Sequence, residues 1–356
     1  MKLFYKDRAE ILYEKSIDLS SSGNTHELMS LRAYLGANNA LVSVNPDPEV
    51  IDYQRKLINN IINTARISKD IPNNQSPFQD EFKGWISTSK KSTYNEEVIL
   101  YEGYSFLYIA QFLFLLQENH WINLSTENAD WWQKAVSFLE QNIWTKWLNR
   151  SEIINKNNDR YFLRGRTHMA SHWAGIAMYL KNMTADSLIK KECEKLQQEY
   201  DLLLKRNLKP NPAYPSAFYW NTTYDNTDGT DAVETRPAIV QDVSHGNHVV
   251  SYIVAAYKMG DKNWLPEDIN KLCNTVKLVL YNKESNSFRD NVDGSTDPSR
   301  PGWGNFVADG WVKLADYDTA VQAIFKNFEG DGKMLKKYNQ ELQFKANLNK
   351  KQLAGG

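Results

Sequence analysis

Apolar residues recur at helical spacing along most of the chain. In segment 49–67, Ile51, Leu57, Ile58, Ile61 and Ile62 share a face behind Pro46 and Pro48, residues suited to a helix start. The same spacing predicts helices over 5–19, 26–41, 96–117, 129–148, 167–180, 185–204, 244–259, 266–281, 305–314 and 318–328, and a charged helix from about Lys333. Residues 68–94, 149–159, 207–240 and 282–304 are polar or broken by proline and read as loops. Strand-like alternation is confined to short runs at 217–220 and 238–240. The expected class is all-α, built from sequential helical hairpins. Hairpins that cannot bury their apolar faces alone must stack. The closed stack is an (α/α) toroid, with its long loops gathered at one rim, where sites usually sit. No Gly/Ser linker divides the chain. One domain over 1–356 is expected: N-terminal helices and loop at 1–94, a core at 95–330, and a C-terminal helix and tail at 331–356.

Composition narrows the function classes. The chain has 356 residues, 42 Lys and Arg against 43 Asp and Glu, and a net charge of −1. That balance argues against gripping nucleic acid by bulk electrostatics. A 12% aromatic share argues against disorder. Cys193 and Cys273 make neither a disulfide scaffold nor a zinc spacing. The N-terminus carries early charges and no apolar run, so it does not read as a signal peptide. If Met1 is the native start, a cytoplasmic location is expected; a removed leader would make the protein periplasmic or secreted. The apolar stretch 98–116 is interrupted by Glu102 and reads as a buried helix, not a membrane span.

Four of the six histidines fall in two similar segments. Thr167-His168-Met169-Ala170-Ser171-His172 and Asp242-Val243-Ser244-His245-Gly246-Asn247-His248 each place Ser-His near the start of an apolar helix. Within each segment the two imidazoles share a helix face. Imidazole is the side chain best suited to proton transfer near neutral pH. Asp242, His245 and His248 also permit a metal-ligand reading, but no established zinc pattern is present, and Asp242 serves equally as a helix N-terminal charge. No metal or cofactor is expected. Arg160, Arg164, Arg166 and Arg236 flank the segments as carboxylate-binding candidates or as solvated loop charges. Tyr214, Tyr219, Trp220 and Tyr224 stand in the 207–240 loop, as ligand-facing groups or as its anchors. Trp303 lies in the Gly302-Trp303-Gly304-Asn305 turn. Trp131, Trp132, Trp144 and Trp147 read as packing. Glu102, embedded among apolar residues, needs a partner or a function. The Lys-rich tail, 333–351, reads as a solvated face.

The two Ser-His segments, with Tyr257-Lys258-Met259-Gly260 and the run from Gly302 to Leu314, resemble the α/α-toroid polysaccharide lyases of the alginate and glucuronan type over residues 95–330. The resemblance implies cleavage of a uronic-acid polymer by β-elimination, a carbon–oxygen lyase reaction on an acidic polysaccharide. Such an enzyme must neutralise the uronate carboxylate so that the developing enolate is tolerated. On that reading His172 and His245 neutralise or act as base, and Tyr219 or Tyr224 acts as acid or base. Arg166, Asn247, His248, Trp220, Arg236, Glu102 and Trp303 hold the substrate. Two alternatives remain open. One is a glycoside hydrolase or uronyl C5-epimerase on the same toroid, with Glu102 and Asp242 or Asp309 as paired acids. The other is a non-catalytic carbohydrate-binding toroid.

Overall fold

The computed structural model describes residues 9–89, 93–155, 162–163, 166–224, 239–299, 301–330 and 340–353. They are mostly helical. The helices are α1 (Ala9–Ser20), α2 (Thr25–Ser30), α3 (Arg32–Val42), α4 (Pro48–Thr64), α5 (Ile99–Glu118), α6 (Thr126–Leu139), α7 (Lys146–Asn155), α8 (Thr167–Leu180), α9 (Ser187–Asn207), α10 (Val243–Lys258), α11 (Pro266–Asn274), α12 (Gly310–Lys313), α13 (Thr319–Gly330) and α14 (Glu341–Leu353). Described sheet is limited to three antiparallel two-stranded ribbons: β1 (Arg66–Ile67) with β2 (Lys83–Gly84), β3 (Lys209–Pro210) with β4 (Phe218–Tyr219), and β5 (Tyr281–Asn282) with β6 (Ser287–Phe288). The all-α expectation therefore holds. Contacts group the chain into two compact units with interleaved ranges. One comprises Met1–Phe162, Ile176–Glu194 and Lys351–Gly356; the other comprises Leu163–Gly175 and Lys195–Lys350. Interleaving explains why no single linker shows in the sequence.

In the first unit, α5 packs against α2, α3 and α6. It buries Phe106, Phe112, Leu113 and Leu116. Among the described residues it is the one helix long and apolar enough to cross a membrane, and most of it is buried. Pro48 opens α4 as expected, and the Asp47 side chain accepts from Glu49 N and Val50 N. The predicted helix 26–41 is instead two helices, α2 and α3, joined at Leu31. The predicted helix 129–148 is interrupted by a π-helical turn at Glu140–Thr145 and runs on to Asn155, so much of the expected 149–159 loop is helix. A π turn adds a residue per turn and so re-aims the face that follows. Lys146 and Arg150, one helical turn apart, are both fully buried after it.

Those two cations answer the buried acids. Lys146 Nζ lies 2.8 Å from Glu102 Oε1, and Trp147 Nε1 donates to Glu102 Oε2 at 2.6 Å. Arg150 grips Asp80 bidentately, at 2.9 Å through both Nε and Nη2, and reaches Glu97 Oε2 at 2.9 Å. Ser68 Oγ donates to Glu97. Burial pushes the Glu102 carboxyl upward, against the pull of Lys146. Glu97 and Glu102, enclosed by these partners, do not present an oxygen to a ligand. The expectation of Glu102 as a substrate-binding residue is thereby corrected. Trp132, Trp144 and Trp147 are buried as expected, with Trp144 stacked on Phe162 at 5.0 Å between centroids.

In the second unit, α10 is buried along most of its length and packs against α12 and the 3-10 turn Trp303–Asn305. A side chain at Gly310 would meet Asn247 O at 2.0 Å, and one at Gly304 would meet Arg289 O at 2.2 Å. Both glycines thus serve backbone-to-backbone packing. Predicted helix 266–281 is helical over 266–280, with a π turn at Thr275–Leu280, whereas of predicted helix 305–314 only Gly310–Lys313 is α-helical. The C-terminal tail is also corrected in part. In α14, Phe344 and Ala346 are fully buried, and Lys350 is 9% exposed beside Asp316, so this segment is not a solvated face. Residues 331–339, including Lys333, lie outside the described set.

Asp201 on α9 accepts from Tyr252 Oη at 2.7 Å, Trp264 Nε1 at 2.9 Å and Asn263 Nδ2 at 3.2 Å. Burial, reinforced by Asp261, pushes its carboxyl up to about 7. A folded-state value above the unfolded one means the folded chain binds the extra proton. Stability from this site is therefore complete below pH ~4 and falls as pH rises towards ~7, by a few kcal/mol. Urea unfolding from pH 4 to 8 is expected to show that slope, and Asp201→Asn to flatten it. An unchanged slope in the variant would contradict the assignment.

Candidate functional site

The starts of α8 and α10 are tied together by segment 220–223. Thr167 N donates to Thr222 O at 3.0 Å, Thr222 N to Ile239 O at 2.7 Å, and Gln241 N to Trp220 O at 2.9 Å. The two Ser-His segments, distant in sequence, thereby become neighbours. Their imidazoles pair in order. His168 lies against His245 with ring centroids 4.3 Å apart, and His172 against His248 at 4.8 Å.

Asp242 is the N-cap of α10, in extended conformation, and its side chain accepts from His245 N at 2.9 Å. The same carboxylate meets His245 Nδ1, at 2.8 Å from Oδ2 and 3.0 Å from Oδ1. One group thus caps the helix and fixes an imidazole. With Nδ1–H turned to the carboxylate, Nε2 of the neutral ring carries the lone pair. Gln241, fully buried, accepts from Thr167 Oγ1 at 3.0 Å and donates to Asp242 Oδ2 at 3.3 Å.

Exposure separates the four histidines. His168, His172 and His248 are 5%, 1% and 9% exposed, whereas the His245 side chain is 30% exposed. Half-buried Trp303 stands 5.7 Å from His245, ring to ring. Burial holds the His168 imidazole well below its usual range, and His245, His172 and Arg166 push the same way. The site is thus one accessible imidazole, backed by a carboxylate and a ring that resists protonation, beside an aromatic face. Such a set can take a proton from a ligand and give it back. Among the described residues, no group of three or more His, Cys, Asp or Glu is placed to hold a metal ion.

The other expected site residues divide. Arg166, half-buried, pairs with Thr223 through a backbone bridge and adds its charge near His168. Asn247 is buried, and its Oδ1 accepts from Gly310 N at 2.7 Å and Trp311 N at 3.1 Å. Its acceptor is committed to the start of α12, and only its amide hydrogens remain for a ligand. Trp220 is fully buried and stacked on Trp311 at 5.9 Å, so it is core and not a sugar-facing platform. Its flat indole closes the space over Gly246, whose added Cβ would stand 3.2 Å from the ring. Tyr224 is 8% exposed and edge-on to Tyr200, while Tyr219 on β4 is half-buried. Glu102 belongs to the first unit. Arg160, Arg164 and Arg236 lie outside the described residues.

Gln241 is the participant that sequence reasoning missed. It follows a run without motif, and its role rests on Thr167, 74 positions away. The Asp242–His245 pairing had a local signal: an acid at the N-cap and a histidine three residues on.

No protein-family model, curated protein or solved structure matches this chain.

The double use of Asp242 gives a test. Asp242→Ala is expected to cost about 0.5–2 kcal/mol, the usual value of a lost N-cap, while Asp242→Asn stays close to wild type because Asn caps equally well. Urea titration measures both. An equal loss in the two variants would show that the charge, not the cap, stabilises α10.

Proposed function

We propose that this chain is a polysaccharide lyase that cleaves a uronic-acid-containing polysaccharide by β-elimination, on a toroid of helical hairpins. The observation that carries the reading is the accessible His245 imidazole, held at Nδ1 by Asp242 and flanked by Trp303. An indole face beside a proton-transfer group suits a sugar ring, which presents C–H bonds on one face.

The chemistry follows from the uronate. The hydrogen at C5 is weakly acidic because its carbon bears the carboxylate. His245 Nε2 takes that proton. The electron pair left on C5 forms the C4–C5 double bond, and the C4–O bond breaks with its electrons leaving on oxygen. A tyrosine hydroxyl protonates that oxygen, and we assign this role to Tyr219, the more exposed of the two candidates. Arg166 and the Asn247 amide hydrogens would offset the charge that grows on the carboxylate. Asp242 stabilises the imidazolium formed on His245.

The hydrolase alternative loses support. It needs two carboxyl groups facing one glycosidic bond. Glu102 is enclosed by Lys146 and Trp147, and Asp309 is paired with Lys313 at 2.7 Å. An epimerase would use the same proton abstraction, but its product would keep its chain length.

Incubation with a panel of uronans, alginate and glucuronan among them, is expected to raise ultraviolet absorbance as unsaturated ends accumulate. His245→Gln and Asp242→Asn are expected to slow that rise by about 10²–10⁴-fold, the usual contribution of acid–base catalysis. No rise across the panel, or a wild-type rate in His245→Gln, would refute the reading.

A further inference from the structure

Half-buried Trp303 stands between His245, 5.7 Å away ring to ring, and Phe306, 6.3 Å away. Such ring contacts tolerate several geometries and do not by themselves fix an indole. The turn that carries Trp303 is fixed by Asp290, a residue with no role in the reaction just described. Asp290 is 8% exposed. Its Oδ1 accepts from Gly304 N at 3.2 Å, and its Oδ2 accepts from Asp297 N at 3.1 Å. Both ends of segment 297–304 therefore donate to one carboxylate, one to each oxygen. Trp303 lies directly before the Gly304 end.

The backbone of Asp290 is anchored at the start of α10. Asp290 O accepts from Val243 N at 2.7 Å, Asn291 bridges to Asp242, and Val292 N donates to Gln241 O at 2.9 Å. Residues 290–292 thus run antiparallel to 241–243, which include the Asp242 cap. One residue meets the α10 start with its carbonyl and the Trp303 turn with its side chain. A second tie, from Phe288 N to Asn305 Oδ1 at 3.1 Å, holds the far side of the turn. Taking a carboxylate out of water is costly unless it is hydrogen-bonded, and bonds from N–H groups to a charged oxygen are the strong kind. What these bonds hold is the loop that presents the indole.

We propose that Asp290 is a positioning residue that clasps segment 297–304 to the start of α10 and so sets the Trp303 indole beside His245 as a platform for the sugar ring. This rests on the reading of His245 as the base and of a uronate ring as its ligand, and it names what keeps the indole in register with that base. The two attachments of Asp290 are separable. Its ties to α10 run through the backbone, which a substitution preserves, whereas its ties to the Trp303 loop run through the carboxylate. Removing the carboxylate therefore releases the indole and leaves Asp242 and His245 paired.

The test is proton NMR of the full chain without substrate, with histidine and tryptophan rings visible in a deuterated background and Trp303→Phe used to assign the indole. In wild type a cross-peak is expected between the Trp303 and His245 rings, and another between the His168 and His245 rings. In Asp290→Ala the first is expected to vanish and the second to remain. Asp290→Asn keeps the shape but leaves one acceptor oxygen for two donors. It is expected to weaken the first cross-peak alone, and it replaces Asp290→Ala if that variant does not fold. Retention of both cross-peaks at full strength would overturn the proposal, because the carboxylate would then not place the indole. Loss of both in a folded variant would also overturn it, because the carboxylate would then support α10 as a whole. On whichever of alginate and glucuronan the wild type cleaves, Asp290→Ala and Trp303→Ala are each expected to raise KM about tenfold with kcat little changed, the mark of lost uniform binding. The double variant is expected to match Trp303→Ala, since residues that act through one another do not add. Additive losses would contradict the clasp. A chain that cleaves neither polymer yet shows the expected cross-peaks would keep this inference and lose the lyase reading.

Discussion

The arrangement turns on one carboxylate. Asp242 sits where a helix begins, and its oxygens receive both the backbone N–H and the ring Nδ1 of the same residue, His245. A helix start leaves N–H groups unpaired, so a capping acid is needed there in any case. Using a histidine at the third position makes that acid serve a second purpose. The backbone holds the carboxylate, and the carboxylate holds the imidazole. What surrounds the pair then follows. Gln241 steadies the carboxylate from behind, α8 supplies a second ring beneath the first, and the Trp303 turn closes one side. Glycine at 304 and 310 allows the backbones around that turn and α12 to approach closely enough.

The first unit meets buried charge with the opposite outcome. Glu97 and Glu102 are as deeply buried as the inner histidines, but each meets a cation at hydrogen-bond distance. Lys146 and Arg150 project from one turn of α7, and the π turn before it sets their direction. Carboxylates matched in this way are structural: removing one partner would leave an uncompensated charge, which costs about 3–5 kcal/mol. Among the described residues His245 is matched at Nδ1, and its side chain is 30% exposed. That difference, rather than burial alone, is what the proposed proton-transfer role of His245 rests on.

Much of this was legible in the chain. Helical spacing located α8 at 167–180 and α10 within a residue of its observed start, because long apolar periodicity is a strong signal. The likeness of the two Ser-His segments pointed to the four histidines that pair. Other features were not legible. The partners of Glu102 stand 44 and 45 positions away, and a π turn inserts its residue without disturbing the apolar pattern enough to be seen. Trp220 lies in a polar stretch that reads as loop, yet the segment it belongs to is drawn inward by the hydrogen bonds that join α8 to α10. Loop composition predicts exposure only where the loop has no structural task. For the Lys-rich tail, the alternation of charges hid Phe344 and Ala346, which bury the helix.

A crystal structure of the His245→Gln variant with a uronate oligosaccharide tests the proposed role of the Asp242–His245 pair. A sugar ring is expected to lie on the Trp303 indole, with its C5 hydrogen turned to residue 245 and its carboxylate towards Arg166. An oligosaccharide bound away from this side chain, or with the opposite ring face turned to it, would contradict the central claim that the Asp242–His245 pair is the proton-transfer group.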